Sequence, residues 1–139
     1  MLQFLFDTDH LTLFQHKHPS LMRNIALQSA DAIGICPNNI EETMRGRLAV
    51  LARSLAGPKH VEAYARLIAA EEMFRLFPLV PFDDAGEIQF QQLRAARLRV
   101  GTLDLKIAAI ALTNGLTVLT RNLVDFGRIP GLRLADWSV

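Results

Sequence analysis

Several features that would point to a particular class of protein are missing from this sequence. Its 139 residues contain one cysteine, Cys36, which excludes an internal disulfide. No stretch approaches the ~20 apolar residues of a membrane span. The amino-terminal stretch lacks the basic segment of a signal peptide and meets Asp7 almost at once. These absences predict a cytoplasmic protein with no membrane-spanning segment.

The sequence also lacks an excess of charge. Fifteen lysines and arginines oppose fourteen acids, for a net charge of +1, so no global field drives non-specific binding to nucleic acid. Twelve of the fifteen cations are arginine, whose forked side chain suits phosphate or carboxylate. Half of the residues are hydrophobic, and a chain of this length predicts a single domain over residues 1–139.

Apolar runs alternate with helical patterns along the chain. The predicted strands lie at 2–6, 32–36, 77–82 and 116–120, with a weaker fifth at 132–137. The predicted helices begin at Asp9, at Pro19, after Pro37, at Lys59 and at Asp83 or Asp84, and the last covers 101–115 with Gly115 as its stop. This alternation predicts an α/β fold with a parallel sheet of four or five strands, covered by helices on both faces.

Carboxylates follow or approach the carboxyl ends of the predicted strands. Asp7 comes directly after the first strand, Glu41 and Glu42 follow the second, and Asp125 follows 116–120. Asp104 begins the apolar helix that leads into that strand. Ligands of open α/β sheets bind beyond the strand carboxyl ends, so we expect these acids to share one crevice.

Each of these acids also has a purely structural explanation. Asp7 is placed to cap the helix that follows it, and Asp104 to complement the dipole of its own helix. Asp125 stands three residues after Asn122, in the spacing of a variant capping box. Taken one at a time, the residues leave both explanations open.

The two adjacent glutamates differ in their spacing to a cation. Glu41 lies four residues before Arg45, in the order that favours a helical ion pair, so Glu42 is the freer of the two. Several carboxylates in one crevice repel one another unless a cation binds, and all-oxygen ligation suits Mg²⁺ or Mn²⁺. The predicted reaction class is metal-dependent hydrolysis of phosphodiesters.

A second hypothesis is a small phosphohydrolase. "DTDHLT" (7–12) resembles the D-x-D-x-T/V nucleophile motif of haloacid-dehalogenase-like phosphatases, but Leu11 stands where that motif needs Thr or Val. The residues after Thr120 contain no lysine, which the later motifs of that family require. The nearby histidines, His10, His16 and His18, are expected to be solvated rather than zinc ligands.

Four segments of the chain resemble the PIN-domain ribonucleases, specifically the VapC-type toxins of bacterial toxin–antitoxin pairs. "FLFDTDHL" (4–11) resembles the family's opening "LLDTN-x-L", and "IEETMRG" (40–46) its "LAELLYG". "VGTLDLKIAAIAL" (100–112) and "VLTRNLVDFGRIPGLRLADW" (118–137) are longer matches and more specific. Together these segments extend the resemblance over nearly the whole chain.

The resemblance implies a three-layer α/β/α PIN-like domain with an acidic site for Mg²⁺ or Mn²⁺. Carried over by position, the site consists of Asp7, Glu42, Asp104 and Asp125, with Thr8 and Asn122 as polar support. It further implies an endoribonuclease toxin that cleaves cellular RNA, forms a homodimer and is inhibited by a cognate antitoxin. A PIN-like domain that binds RNA or a partner without cleaving is the alternative.

The chain departs from the family pattern at two places. Asp9 stands where the family usually has Asn, which adds a negative charge near the site. "TLD" replaces the commoner "PND" before Asp104. The family is least regular at the fourth acid, so Asp125 and Asn122 compete for that position.

Overall fold

The computed structural model describes residues 1–54 and 56–139. In that part of the chain, four short strands form one parallel sheet and seven helices surround it. The strands are β1 (Phe4–Phe6), β2 (Ile33–Gly34), β3 (Thr117–Leu119) and β4 (Leu134–Ala135). The helices are α1 (Thr8–Gln15), α2 (Pro19–Ala26), α3 (Pro37–Arg53), α4 (Pro58–Phe74), α5 (Asp84–Ala95), α6 (Thr102–Asn114) and α7 (Leu123–Phe126).

The strand order β2-β1-β3-β4 places the first and third strands side by side in the middle of the sheet. Leu5 pairs with Gly34 on one side and with Val118 on the other. The chain leaves β1 towards β2 and returns across the sheet to β3, so the strand order reverses between β1 and β3. Such a switch point opens a crevice at the carboxyl ends of both strands.

Alternate residues of the central strands enter two separate cores. Leu5 and Val118 face helices α5, α6 and α7, whereas Phe6 and Leu119 face helices α1, α2 and α4. This two-residue period is what a strand buried on both faces requires. The fold is therefore the predicted α/β/α sandwich, and α3 packs beside it against α4, with contacts to α1 and α6.

Local sequence signals set several helix ends. Asp83 caps α5 by accepting from the Gly86 amide at 2.9 Å. Gly115 ends α6 in the left-handed conformation, with φ of 66°, as the predicted stop requires. Among the described helices, none has the length and apolarity needed to cross a bilayer.

The predicted strand at 77–82 is wrong. This segment makes only one parallel bridge, between Leu79 and Ile35 beside β2. The Ile35 amide donates to the Pro78 carbonyl at 3.0 Å, and the Val80 amide donates to the Ile35 carbonyl at 2.7 Å. Pro78 has no amide hydrogen to extend the pairing towards Ile33. On the other side the ladder ends at Pro37, which also lacks an amide hydrogen and begins α3.

Candidate active site

Asp7 lies at the switch point, immediately after β1 and at the N-cap of α1. Its Oδ1 accepts from the His10 amide at 2.7 Å, and its own amide donates to the Leu119 carbonyl of β3. Only 5% of the residue is exposed. This burial raises the pKa of Asp7 to about 7, and the charges of Asp9 and Asp104 add to the rise.

Glu42 is held at the same edge of the sheet by the first residue of α1. The Thr8 hydroxyl donates to Glu42 Oε1 at 2.6 Å and accepts from Asn39 Nδ2 at 3.2 Å. Asn39 is fully buried, and its Nδ2 also donates to the Phe6 carbonyl at 3.1 Å. The predicted supporting role of Thr8 thus has a geometric basis, because Thr8 joins α1 to α3.

Asp104 lies in the first turn of α6 and is half-buried. Burial raises the pKa of Asp104 to about 6, and the negative charges of Glu42 and Asp125 contribute further. The helix dipole alone would favour the charged form, so the contributions of Glu42 and Asp125 are the part of the shift that reports neighbouring acids. Asp104 therefore lies among other acids.

Asp125 belongs to α7, after β3, and both of its carboxylate oxygens are engaged. Asn122 Nδ2 donates to Oδ2 at 3.0 Å, while the Asp125 amide donates to Asn122 Oδ1 at 3.3 Å. Arg128 Nη1 donates to Oδ1 at 2.8 Å. Asn122 is the N-cap of α7, but the predicted capping box is incomplete, because the Asn122 amide donates to the Thr120 hydroxyl and not to Asp125. Asp125 also acts on Asp104 by charge.

The four predicted acids thus come from four segments and meet at one edge of the sheet. Asp104 acts electrostatically on Asp7, and Glu42 and Asp125 act on Asp104. Within residues 1–54 and 56–139, Asp125 has an arginine partner, whereas Asp7, Glu42 and Asp104 form no ion pair with lysine or arginine. Three of the four acids therefore lack an ion-pair partner in the described part of the chain.

A tighter group of candidate ligands lies next to this crevice. Ligand atoms of Asp7, Asp9 and His10 come within 4.8 Å of one another, which no three of the four predicted acids do among the described residues. Both carboxylate oxygens of Asp9 accept from Arg121, at 2.7 and 2.8 Å. Both oxygens of Asp9 are therefore engaged by an arginine, although the charge of Asp9 still contributes to the raised pKa of Asp7.

His10 is fully buried, so the prediction of a solvated histidine is wrong. Its Nε2 accepts from the Trp137 amide at 3.2 Å. A ring that accepts at Nε2 carries its proton on Nδ1 and cannot bind a metal through that atom. Burial also lowers the pKa of His10, against the opposing charge of Asp136. His10 is thus a neutral neighbour of Asp7 rather than a cation or a ligand.

Two further residues near the site escaped the sequence analysis. The buried Thr120 hydroxyl lowers the pKa of Asp7 by hydrogen bonding and accepts from the Asn122 amide at 2.8 Å. Asn39 ties Thr8 to β1 through its Nδ2 atom. Their positions in the sequence were the available signal, because Thr120 directly follows a central strand and Asn39 lies three residues before Glu42.

Comparison with known proteins identifies the family. The sequence profile described as "PIN domain" matches residues 5–132. This chain belongs to the PIN domain family. The tRNA(fMet)-specific endonuclease VapC of Salmonella typhimurium is 29% identical over 99% of both chains. Ribonuclease VapC1 of Rickettsia felis is 38% identical over 45% of this chain and 50% of its own.

Solved PIN structures share the fold over nearly the full length. The DNA-bound VapBC structure from Salmonella typhimurium has a TM-score of 0.79 at 27% identity, covering 99% of both chains. VapBC2 from Rickettsia felis, bound to a promoter fragment, has a TM-score of 0.78 at 22% identity, covering 98% of this chain and 99% of that one. The predicted family and fold are confirmed, and so is the predicted nuclease activity, since the curated relatives are named as nucleases.

Proposed function

We propose that this protein is a divalent-metal-dependent endoribonuclease, a toxin that cleaves cellular RNA and is neutralised by a cognate antitoxin. One observation carries the proposal: Asp7, Glu42 and Asp104 converge at the switch point without a cationic partner in the part of the chain that the structure describes. An arrangement of this kind is costly unless a cation joins it. Membership of the PIN family agrees with the reaction class.

The residues fit a hard divalent cation. Asp7, Glu42, Asp104 and Asp125 offer only carboxylate oxygens, the donors that Mg²⁺ and Mn²⁺ prefer. When bound, such an ion activates water and stabilises the leaving oxygen of a phosphodiester. The buried position of Asp7 makes it the anchor of the set, and Asp125 is the outermost member because Asn122 and Arg128 already engage it.

The protein itself fixes the orientation of the acids. Thr8 holds Oε1 of Glu42, which leaves the other oxygen for a ligand or for the attacking water. The Asp7 carboxylate is fixed in the same way through Oδ1. Groups held in place in advance lower the cost of reaching the reactive geometry.

RNA is the proposed substrate, and its phosphates need positive charge around an acidic centre. Arg121 is half exposed next to the crevice, with Asp9 holding its Nε and Nη2 atoms. The Salmonella relative is named for tRNA(fMet), so initiator tRNA is the first substrate to test. Because the substrate is cellular RNA, the proposal places the protein in the cytoplasm.

Two protein partners are part of the proposal: an antitoxin and a second copy of this chain. The solved relatives include VapBC toxin–antitoxin assemblies, which supports an antitoxin. Helix α4 exposes Val61, Tyr64 and Ile68 at 72%, 52% and 55% on spacings of three and four residues. A continuous apolar stripe of this kind favours a protein contact, and we assign it to the homodimer.

Expression of the protein alone should arrest bacterial growth, and purified protein should cut RNA only with Mg²⁺ or Mn²⁺. Glu42→Gln should abolish both effects. Glu41→Gln is the matched control, since Glu41 pairs on the surface with Arg45 at 2.8 Å and should cost only about 0.2–0.5 kcal/mol of stability. Growth assays and gel-resolved cleavage of initiator tRNA provide the measurements.

Three results would contradict parts of this proposal. Equal toxicity of the wild type and Glu42→Gln would remove the assigned site. A wild type that binds RNA but never cleaves it would favour the silent PIN-like domain. Hydrolysis of nucleotide monophosphates, with RNA left intact, would favour a small phosphohydrolase.

A further inference from the structure

The buried ring of His10 lies between Asp7 and the chain segment that follows β4. On one side, Nδ1 lies 3.7 Å from Asp7 Oδ1. On the other, Nε2 accepts from the Trp137 amide at 3.2 Å, and Asp136 Oδ1 lies 3.6 Å away. The two ring nitrogens therefore have different neighbours: Nδ1 is next to Asp7, and Nε2 is bonded to the Trp137 amide.

Geometry assigns the proton of this ring. A backbone amide always donates, so the hydrogen bond from Trp137 requires a lone pair on Nε2. The ring is then neutral and its single hydrogen is on Nδ1. That N–H is fully buried and has no hydrogen-bond partner among the described residues. Its nearest charged acceptor is the Asp7 carboxylate.

The segment behind the ring is itself fixed. The Trp137 carbonyl accepts from Asn24 Nδ2 at 3.2 Å, and the Trp137 ring packs against Phe4 with centroids 4.7 Å apart. Asp136 Oδ1 is taken by the amide and hydroxyl of Ser138. The imidazole is thus held in one orientation, which keeps Nδ1 facing Asp7.

We infer that His10 is a positioning residue for Asp7, through the Nδ1–H group that faces Asp7 Oδ1. The inference rests on the proposed function, because it needs Asp7 to be a metal ligand. The His10 amide already donates to the same Oδ1 at 2.7 Å. Nδ1 of the same residue lies 3.7 Å from that oxygen, so His10 directs two N–H groups at Oδ1 and limits how the Asp7 carboxylate can turn.

A purely structural histidine would need only Nε2, to satisfy the Trp137 amide. A positioning histidine needs Nδ1 as well. Two variants separate these tasks: His10→Gln places its amide near the position of Nε2, and His10→Asn places its amide near that of Nδ1. The decisive measurement is Mn²⁺ affinity, from the electron paramagnetic resonance signal of free Mn²⁺, with no RNA present.

The wild type should bind Mn²⁺, and Asp7→Asn should abolish binding. His10→Gln should keep the wild-type thermal midpoint in EDTA but bind Mn²⁺ about 10–100-fold more weakly, the usual loss when a partner of a ligand is removed. His10→Asn should melt earlier, yet its Mn²⁺ affinity should stay within about threefold of the wild type, because it retains a donor towards Asp7.

Wild-type affinity in His10→Gln, or an equal loss in both variants, would overturn the role of His10 while leaving the proposed metal site intact. Absence of Mn²⁺ binding by the wild type would overturn the metal site and this inference together. If His10→Gln does not fold, His10→Asn decides alone: retained affinity supports the inference and a tenfold loss overturns it.

Discussion

The acids on the outer helix faces and the acids of the crevice differ in what neutralises them. Outside, Glu41 pairs with Arg45 at 2.8 Å and Glu71 with Arg75 at 2.6 Å, each within one exposed helix turn. In the crevice, burial raises the pKa values of Asp7 and Asp104 instead. Ion pairs thus stabilise the charged carboxylates on the outer faces, whereas burial disfavours the charged form of the carboxylates in the crevice.

The origin of the difference is the distance along the chain between partners. An outer acid finds its cation four residues away, where helix geometry guarantees contact. Asp7, Glu42 and Asp104 come from the end of β1, from α3 and from α6, and in the described part of the chain none of them pairs with a lysine or arginine, whereas Asp125 has Arg128. Strain that no local partner relieves marks a site where an external ion is expected.

The largest effect is expected on the stability of Asp7→Asn, measured without metal. The folded pKa of Asp7 is about 7 against an ordinary value of 3.8. Wild-type stability should therefore fall as pH rises through that window, because only the folded state keeps the proton. Asn caps a helix as well as Asp, so at pH 8 in EDTA the variant should be more stable by up to about 4 kcal/mol, at about 1.4 kcal/mol per pKa unit.

The gain should shrink as the pH falls towards 3.8 and vanish below it, where the carboxyl is protonated in both states. Urea melts of both proteins at pH 4, 6 and 8 provide the measurement. Asp31→Asn is the control with the opposite sign, since the amino terminus lowers the pKa of exposed Asp31. An Asp7→Asn protein that is less stable than the wild type at pH 8 would remove the strain argued for Asp7.

A somewhat smaller effect is expected at Asp104 when metal is added. In EDTA, Asp104→Asn should leave stability unchanged or raise it, because it removes repulsion with Glu42 and Asp125. With Mg²⁺ at a hundredfold excess over Kd, the wild type should gain about 2.7 kcal/mol, and the variant should lose most of that gain.

Thermal melts of the wild type and Asp104→Asn, in EDTA and in Mg²⁺, test whether the wild type becomes the more stable protein only when metal is present. A wild-type midpoint that ignores Mg²⁺ and Mn²⁺, together with a variant that is less stable in EDTA, would leave Asp104 as a helix-terminal acid. The outer pair Glu71–Arg75 supplies the comparison, since Glu71→Gln should not change the response to metal.

The smallest effect is expected at Asp9, which lies beside the crevice but is paired like an outer acid. Its partner Arg121 is half exposed, so the pair should contribute about 0–1 kcal/mol. Asp9→Asn should therefore change stability little and leave Mn²⁺ affinity unchanged. A large loss of Mn²⁺ affinity would instead make Asp9 a ligand and move it into the crevice group.

The sequence was sufficient to predict much of the fold because the relevant signals are local. The apolar runs around Leu5 and Val118, the capping acid Asp83 and the stop at Gly115 each act over a few residues. The segment 77–82 has the apolar pattern of a strand, but Pro78 and Pro37 lack the amide hydrogens that would extend its pairing beside β2.

The predicted acids could be located from strand ends, but the groups that hold them could not. The partner of His10 lies 127 residues away at Trp137, and that of Asp9 lies 112 residues away at Arg121. Contacts over such separations leave no local pattern in the sequence. Neither the burial of His10 nor the ion pair of Asp9 could therefore be predicted from it. The assignment of the four acids to metal binding stays a prediction.

The parallel pairing of β1 with β3 has a consequence for the timing of synthesis. Asp7 is bonded through its amide to Leu119, and its acidic neighbours include Asp104. At ~5–20 residues per second, a ribosome needs on the order of ten seconds to travel between these parts of the chain. Until β3 has been made and docked, the crevice does not exist, so a nascent chain cannot attack the RNA of the ribosome that is making it.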